Sequence, residues 1–194
     1  MGIFELPEGY AEIKRVDLQK DKKLAVLINL AALIIAALLI PIGLAIAPIH
    51  FASIMQGTSI PLFQLIIVLG GVVVYMVCHE LIHGIFIKIF SGKKAKYGFT
   101  GLYAYAGSDA YFNKRHYLII ALAPVVLFGL IFLILNITLP LKWFWFIYVL
   151  QIINLSGAAG DLYITYLMRK LPDDMLTRDA GVGMIFYSKK AANG

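Results

Sequence analysis

The sequence predicts an all-α membrane protein of about four transmembrane helices, with a short, β-hairpin-like, membrane-associated loop between helices two and three. Three observations predict it. Of 194 residues, 61% are hydrophobic and the mean hydropathy is +0.84, which is more apolar surface than one soluble domain of this size can bury. Four apolar runs, at residues 24–49, 61–90, 117–139 and 143–167, each exceed the ~20 residues a helix needs to cross the hydrocarbon core. The basic residues, finally, gather in alternate connections between those runs, as they do in multi-pass membrane proteins.

Residues 1–23 are of mixed charge, with Glu5, Glu8, Glu12 and Asp17 among them, and the apolar run behind them is too long for the core of a cleaved signal peptide. The first helix is therefore expected to remain as an anchor. Pro41 and Pro124 fall inside the first and third runs and are expected to kink or loosen those helices, which is tolerated where neighbours satisfy the freed carbonyls. Trp143, Trp145 and Tyr148 stand where an interfacial aromatic anchor belongs. The connection 91–116 interleaves Tyr97, Phe99, Leu102, Tyr103, Tyr105, Tyr111 and Phe112 with Gly92, Gly98, Gly101 and Gly107. β-Formers punctuated by glycine read as a short hairpin or curled strands. Its edge is either a docking strand for an extended peptide or a purely interfacial element. With no repeat and no long linker, the expected organisation is a cytoplasmic segment at 1–23, one membrane-embedded domain at 24–171 and a cytoplasmic tail at 172–194.

Sixteen of the seventeen Lys and Arg residues precede the first run, lie at the connection between the second and third, or follow the fourth, and only Lys142 falls on the other side. The positive-inside rule then predicts a multi-pass protein of the cell membrane with both termini cytoplasmic. The net charge of +6 is a matter of topology and not a nucleic-acid footprint, because the basic residues cap apolar runs instead of forming one face. Cys78 is the single cysteine, which excludes an intrachain disulfide and any metal site built on several thiolates.

The second run contains His79-Glu80-Leu81-Ile82-His83. Positions i and i+4 lie one above the other on a helix, so both imidazoles can converge on one tetrahedral cation. Glu80 is then placed to take a proton from an attacking water and hand it to a leaving amine, which is what peptide hydrolysis requires. In a membrane helix each ionisable group costs on the order of 3 kcal/mol, so three in five positions need a compensating interaction. Two histidines on one helical face do not suit a bis-histidine haem. A catalytic zinc needs a third protein ligand, and the candidates are Asp161, Asp109, His116 and His50. His50 is expected on the far side of the membrane, His116 beside Lys114 and Arg115 at an interface, and Asp109 in a turn. Asp161 is the one carboxylate of the fourth run, and Gly157, Ala158 and Gly160 before it permit close approach to the histidine helix. It is the favoured ligand. Asn154, two helical turns earlier, is expected either to donate to a scissile carbonyl or to join helices.

His79-Glu80-x-x-His83 in one membrane helix, with Asn154-Leu155 running to Gly160-Asp161 in a later one, resembles the site-2 protease group of intramembrane zinc metalloproteases. Ala121-Leu122-Ala123-Pro124 is similar to the opening of that group's next core helix. The strongest resemblance, over most of the chain and including Leu6-Pro7-Glu8-Gly9-Tyr10, is to a small prokaryotic branch known as putative zincin peptidases. It departs in having Gly157 and Gly160 at proline-like places and an Asn-to-Asp spacing one residue shorter. The resemblance implies a zinc metalloendopeptidase with one Zn2+ per chain, held by His79, His83 and Asp161, with Glu80 and Asn154 catalytic. Its substrate would be a membrane-protein or membrane-proximal peptide in the lipid bilayer, hydrolysed by metal-activated water roughly 15 Å below the cytoplasmic end of the helix. The alternatives are a catalytically inactive metal-binding membrane scaffold or chaperone, against which Glu80 argues, and a small ion carrier, against which the absence of an inverted repeat argues.

Overall fold

A computed structural model describes residues 3–48, 62–101, 104–181 and 183–189. Helix α1 (Lys22–Ile46) starts where the Asp21 carboxylate accepts the Leu24 N–H at 2.9 Å, and it continues through Pro41. Helix α2 (Leu62–Ser91) carries the His-Glu-x-x-His run. Helix α3 (Lys114–Thr138) is capped by Asn113, whose side chain accepts the His116 N–H at 2.9 Å, and contains Pro124. Each cap satisfies a donor that the first helical turn leaves without a partner. Among the described residues four helical spans are long and apolar enough to cross a membrane, the fourth being Leu141–Arg169, so the expected spans are present.

The fourth span corrects one expectation. Instead of a single helix it comprises a 3-10 turn (Leu141–Trp143), helix α4 (Phe144–Gly157) and helix α5 (Ala159–Arg169), parted at Ala158 with φ −80° and ψ 11°. The break falls in Gly157-Ala158-Ala159-Gly160, where two glycines weaken helix and no large side chain holds the turn. Asp161 consequently stands in the first turn of a new helix.

Six strands accompany the helices: β1 (Ala11–Asp17), β2 (Lys96–Phe99), β3 (Ala104–Gly107), β4 (Tyr111–Asn113), β5 (Leu176–Asp179) and β6 (Gly183–Ser188). The expected hairpin is β2–β3, antiparallel, with Lys96 opposite Gly107 and Phe99 opposite Ala104. Beyond it lies a four-stranded antiparallel sheet in the order β1-β6-β5-β4. This sheet joins the segments before the first helix and after the last, with β1 and β6 paired directly. Fully buried Phe112, Phe186, Met168 and Met175 pack with Ile87 and Ile120 to weld the sheet onto α2, α3 and α5.

Helix α1 is bound differently at its two ends. Near its C-terminus the Tyr148 hydroxyl donates to Leu39 O at 2.7 Å and Trp145 Nε1 donates to Ala47 O at 3.1 Å. Gly43 lies against this aromatic pair, and a Cβ there would stand 2.4 Å from the Tyr148 ring. Elsewhere α1 exposes Val26, Leu33 and Leu38, as a lipid-facing helix should. Because Tyr148 is buried and hydrogen-bonded, its ring cannot yield cheaply. Gly43→Ala is expected to destabilise the fold by about 1–3 kcal/mol through overpacking, read as a lower melting temperature in detergent; an unchanged melt contradicts this packing.

Asp179 on β5 accepts hydrogen bonds from the Tyr117 hydroxyl and, at 2.7 Å, from the Gly181 N–H. Desolvation by burial nevertheless outweighs both bonds and raises its carboxyl above the ordinary value. A raised acid binds more protons folded than unfolded, so its contribution favours the folded state at low pH and is lost as pH rises through the raised value. Relative to wild type, Asp179→Asn is expected to flatten that part of the melting temperature against pH; parallel curves would contradict the assignment.

Candidate metal centre

His79 and His83 are one turn apart on α2 and both are buried, each 9% exposed. Their Nε2 atoms face α5, where Asp161 Oδ2 lies 3.6 Å from that of His79 and 3.8 Å from that of His83. A carboxylate oxygen of Glu80 also falls within 4.8 Å of both histidines' ligand atoms. Two imidazoles and a carboxylate oxygen are donor types that a tetrahedral zinc site uses, so these residues could hold such an ion.

The far nitrogens support that fit. His83 Nδ1 is 2.8 Å from Ile120 O, and a carbonyl only accepts, so in the neutral imidazole Nδ1 carries the hydrogen and Nε2 the lone pair. That carbonyl is open for a local reason. In an uninterrupted helix it would receive the N–H of residue 124, and residue 124 is proline, which has none. His79 Nδ1 is 2.9 Å from the Tyr75 hydroxyl; Tyr75 in turn donates to Asn154 Oδ1 at 2.9 Å, and Asn154 Nδ2 donates to Val125 O at 3.0 Å.

The other sequence candidates go elsewhere. Asp109 forms exposed ion pairs with Lys96 and Arg178, whose hydrogen bonds and charges hold its carboxyl below the usual range. His116 stacks on Phe90 with ring centroids 4.3 Å apart. His50 lies outside the described residues. Asn154, considered as a donor to substrate, is fully buried behind Tyr75, with its amide directed at Tyr75 and Val125 instead of the cavity. Asn154 lies on α4 and Asp161 on α5, on either side of the helix break.

A cavity of about 430 Å3 surrounds the centre, lined by His79, Glu80, His83, Asp161, Tyr117 and Asp179 among others. No Lys or Arg lines it among the described residues, so nothing cationic competes with a metal for the carboxylates. Tyr117 and Asp179 reach it from the start of α3 and from β5, a juxtaposition invisible in sequence because the tail pairing is long-range. Tyr75 was legible in principle as a tyrosine one turn ahead of a ligand-type histidine, on the same helical face.

Comparison with known proteins agrees with the geometry. No curated protein and no solved structure matches the chain. The protein family described as "Putative zincin peptidase" matches residues 72–176, a stretch that opens just before Tyr75, closes on the first residue of β5 and includes His79, Glu80, His83, Asn154 and Asp161. Zinc is the metal that description implies, and the donor set fits it. With more than half of its length matched, the chain belongs to the putative zincin peptidase family.

Proposed function

We propose that the protein is an intramembrane zinc metalloprotease of the site-2 protease type, hydrolysing peptide bonds in or near transmembrane segments. The observation that carries this reading is the convergence of Asp161 Oδ2 on two histidine Nε2 atoms inside apolar spans, with Glu80 beside them. His79, His83 and Asp161 would hold one zinc. When bound, zinc supplies Lewis acidity toward a water and a carbonyl oxygen. Glu80 takes the proton of the attacking water and delivers it to the departing amine. The apolar walls limit bulk water, which strengthens every charge interaction within.

The substrate in this reading is a membrane-spanning or membrane-proximal segment with its helix locally unwound, because a helical carbonyl is already hydrogen-bonded. An apolar cleft of about 300 Å3 between Leu27, Ile28 and Ala31 of α1 and Ala159, Leu162 and Tyr163 of α5 supports access from the lipid side, since it shares Ile28, Ala159 and Tyr163 with the metal cavity. The bias of Lys and Arg supports a cytoplasmic location, at a cell membrane, for the end of the bundle where β1 and β6 pair.

Full-length protein purified in detergent tests the proposal, with metal content measured beside cleavage of candidate membrane segments. Wild type is expected to hold one zinc per chain and to cleave. Glu80→Gln should keep the zinc and lose at least about 100-fold in rate; equal cleavage by the two would remove Glu80 from the chemistry. Asp161→Ala is expected to weaken zinc binding strongly, and an unchanged affinity would exclude it as a ligand. Zinc retained in a wild type that cleaves no segment would favour a scaffold.

A further inference from the structure

The two imidazoles are oriented by unlike devices. His83 faces a carbonyl, which leaves its hydrogen no choice of nitrogen. His79 faces the Tyr75 hydroxyl, and a phenol can either donate or accept. If Tyr75 donated, His79 Nδ1 would be the acceptor, the hydrogen would sit on Nε2, and that nitrogen would have no lone pair for a metal.

The ambiguity is resolved two bonds away. Val125 O is an acceptor, so the Asn154 atom 3.0 Å from it is the amide nitrogen, and the oxygen is the atom 2.9 Å from Tyr75. That oxygen only accepts, so Tyr75 gives its one hydrogen to Asn154 and keeps a lone pair for His79. Asn154 is 0% exposed, and its amide has Tyr75 and Val125 O as partners.

We propose that Tyr75 and Asn154 are positioning residues that act as one relay, anchored on Val125 O, holding His79 with hydrogen on Nδ1 and the Nε2 lone pair directed at the metal. The relay joins three helices: Tyr75 on α2, Asn154 on α4 and Val125 on α3. Its length of two side chains spans a gap that the carbonyl freed by Pro124 closes directly for His83. The proposal rests on the zinc reading above for its purpose, and on the hydrogen-bond geometry alone for its structure.

The test uses full-length protein, labelled with 15N at histidine, in detergent micelles and alkaline buffer. The variants are Tyr75→Phe, Asn154→Ala, the double variant and Tyr148→Phe; the last removes a phenol hydrogen bond at the far end of the bundle and controls for general loosening. Without zinc, wild-type His79 is expected to show hydrogen on Nδ1, both relay variants to admit the Nε2–H tautomer, and Tyr148→Phe to resemble wild type. Zinc affinity, measured against a chromophoric chelator, should fall about 10–100-fold in Tyr75→Phe and Asn154→Ala. The double variant should fall no further than the worse single one, because the pair acts as a unit. The absorption spectrum of the cobalt(II)-substituted protein should change in the relay variants only. Wild-type affinity and spectrum in Tyr75→Phe, or additive losses in the double variant, would overturn the relay. Hydrogen on Nε2 of wild-type His79 would overturn it even if zinc never binds, whereas a wild type with the expected tautomer that takes up no zinc defeats the protease reading and leaves the relay standing.

Discussion

Asp161 Oδ2 meets the Nε2 atoms of His79 and His83 at 3.6 and 3.8 Å across the contact of α5 with α2, and the bundle is organised around that meeting. Each of these side chains is costly in an apolar slab by itself, and together they offset one another or share a cation. The local oddities follow from the same demand. Pro124 frees the Ile120 carbonyl that orients His83, and the break at Ala158 lets Asp161 open a helix of its own. Around the two histidines the polar groups are partnered, Tyr75 with Asn154 and His83 with the Ile120 carbonyl.

The sheet outside the spans completes the enclosure. β1 from the N-terminal segment and β5 and β6 from the C-terminal one pair directly, and β4 fastens them to the start of α3. Through this sheet Asp179 reaches the cavity around His79, His83 and Asp161 and accepts from Tyr117 on α3. The helices α2, α3 and α5 and the strands β1, β4 and β6 thus share one core, which includes Val16, Ile87, Phe112, Met168 and Phe186.

Much of this was legible in the sequence. Hydrophobic runs longer than a bilayer announced the spans, the i, i+4 histidines announced two imidazoles on one side of α2, and alternating aromatics and glycines announced the β2–β3 hairpin. The helix break was foreshadowed by Gly157-Ala158-Ala159-Gly160, but those residues also suit close helix packing, and composition does not choose between the two. The four-stranded sheet was not legible, because β1 and β6 are paired across almost the whole chain and no local pattern encodes such a partner. Asn154 shows the same limit at a single residue: its polarity marked it as purposeful, while the direction of its amide depended on Tyr75 and Val125, distant in sequence.

Direct observation of the metal tests the central claim most sharply. Crystals of the zinc-loaded protein, measured on either side of the zinc absorption edge, should show one anomalous peak per chain, between His79 Nε2, His83 Nε2 and Asp161 Oδ2. A peak elsewhere, or contact with the two histidines while Asp161 stands apart, would contradict the site described here.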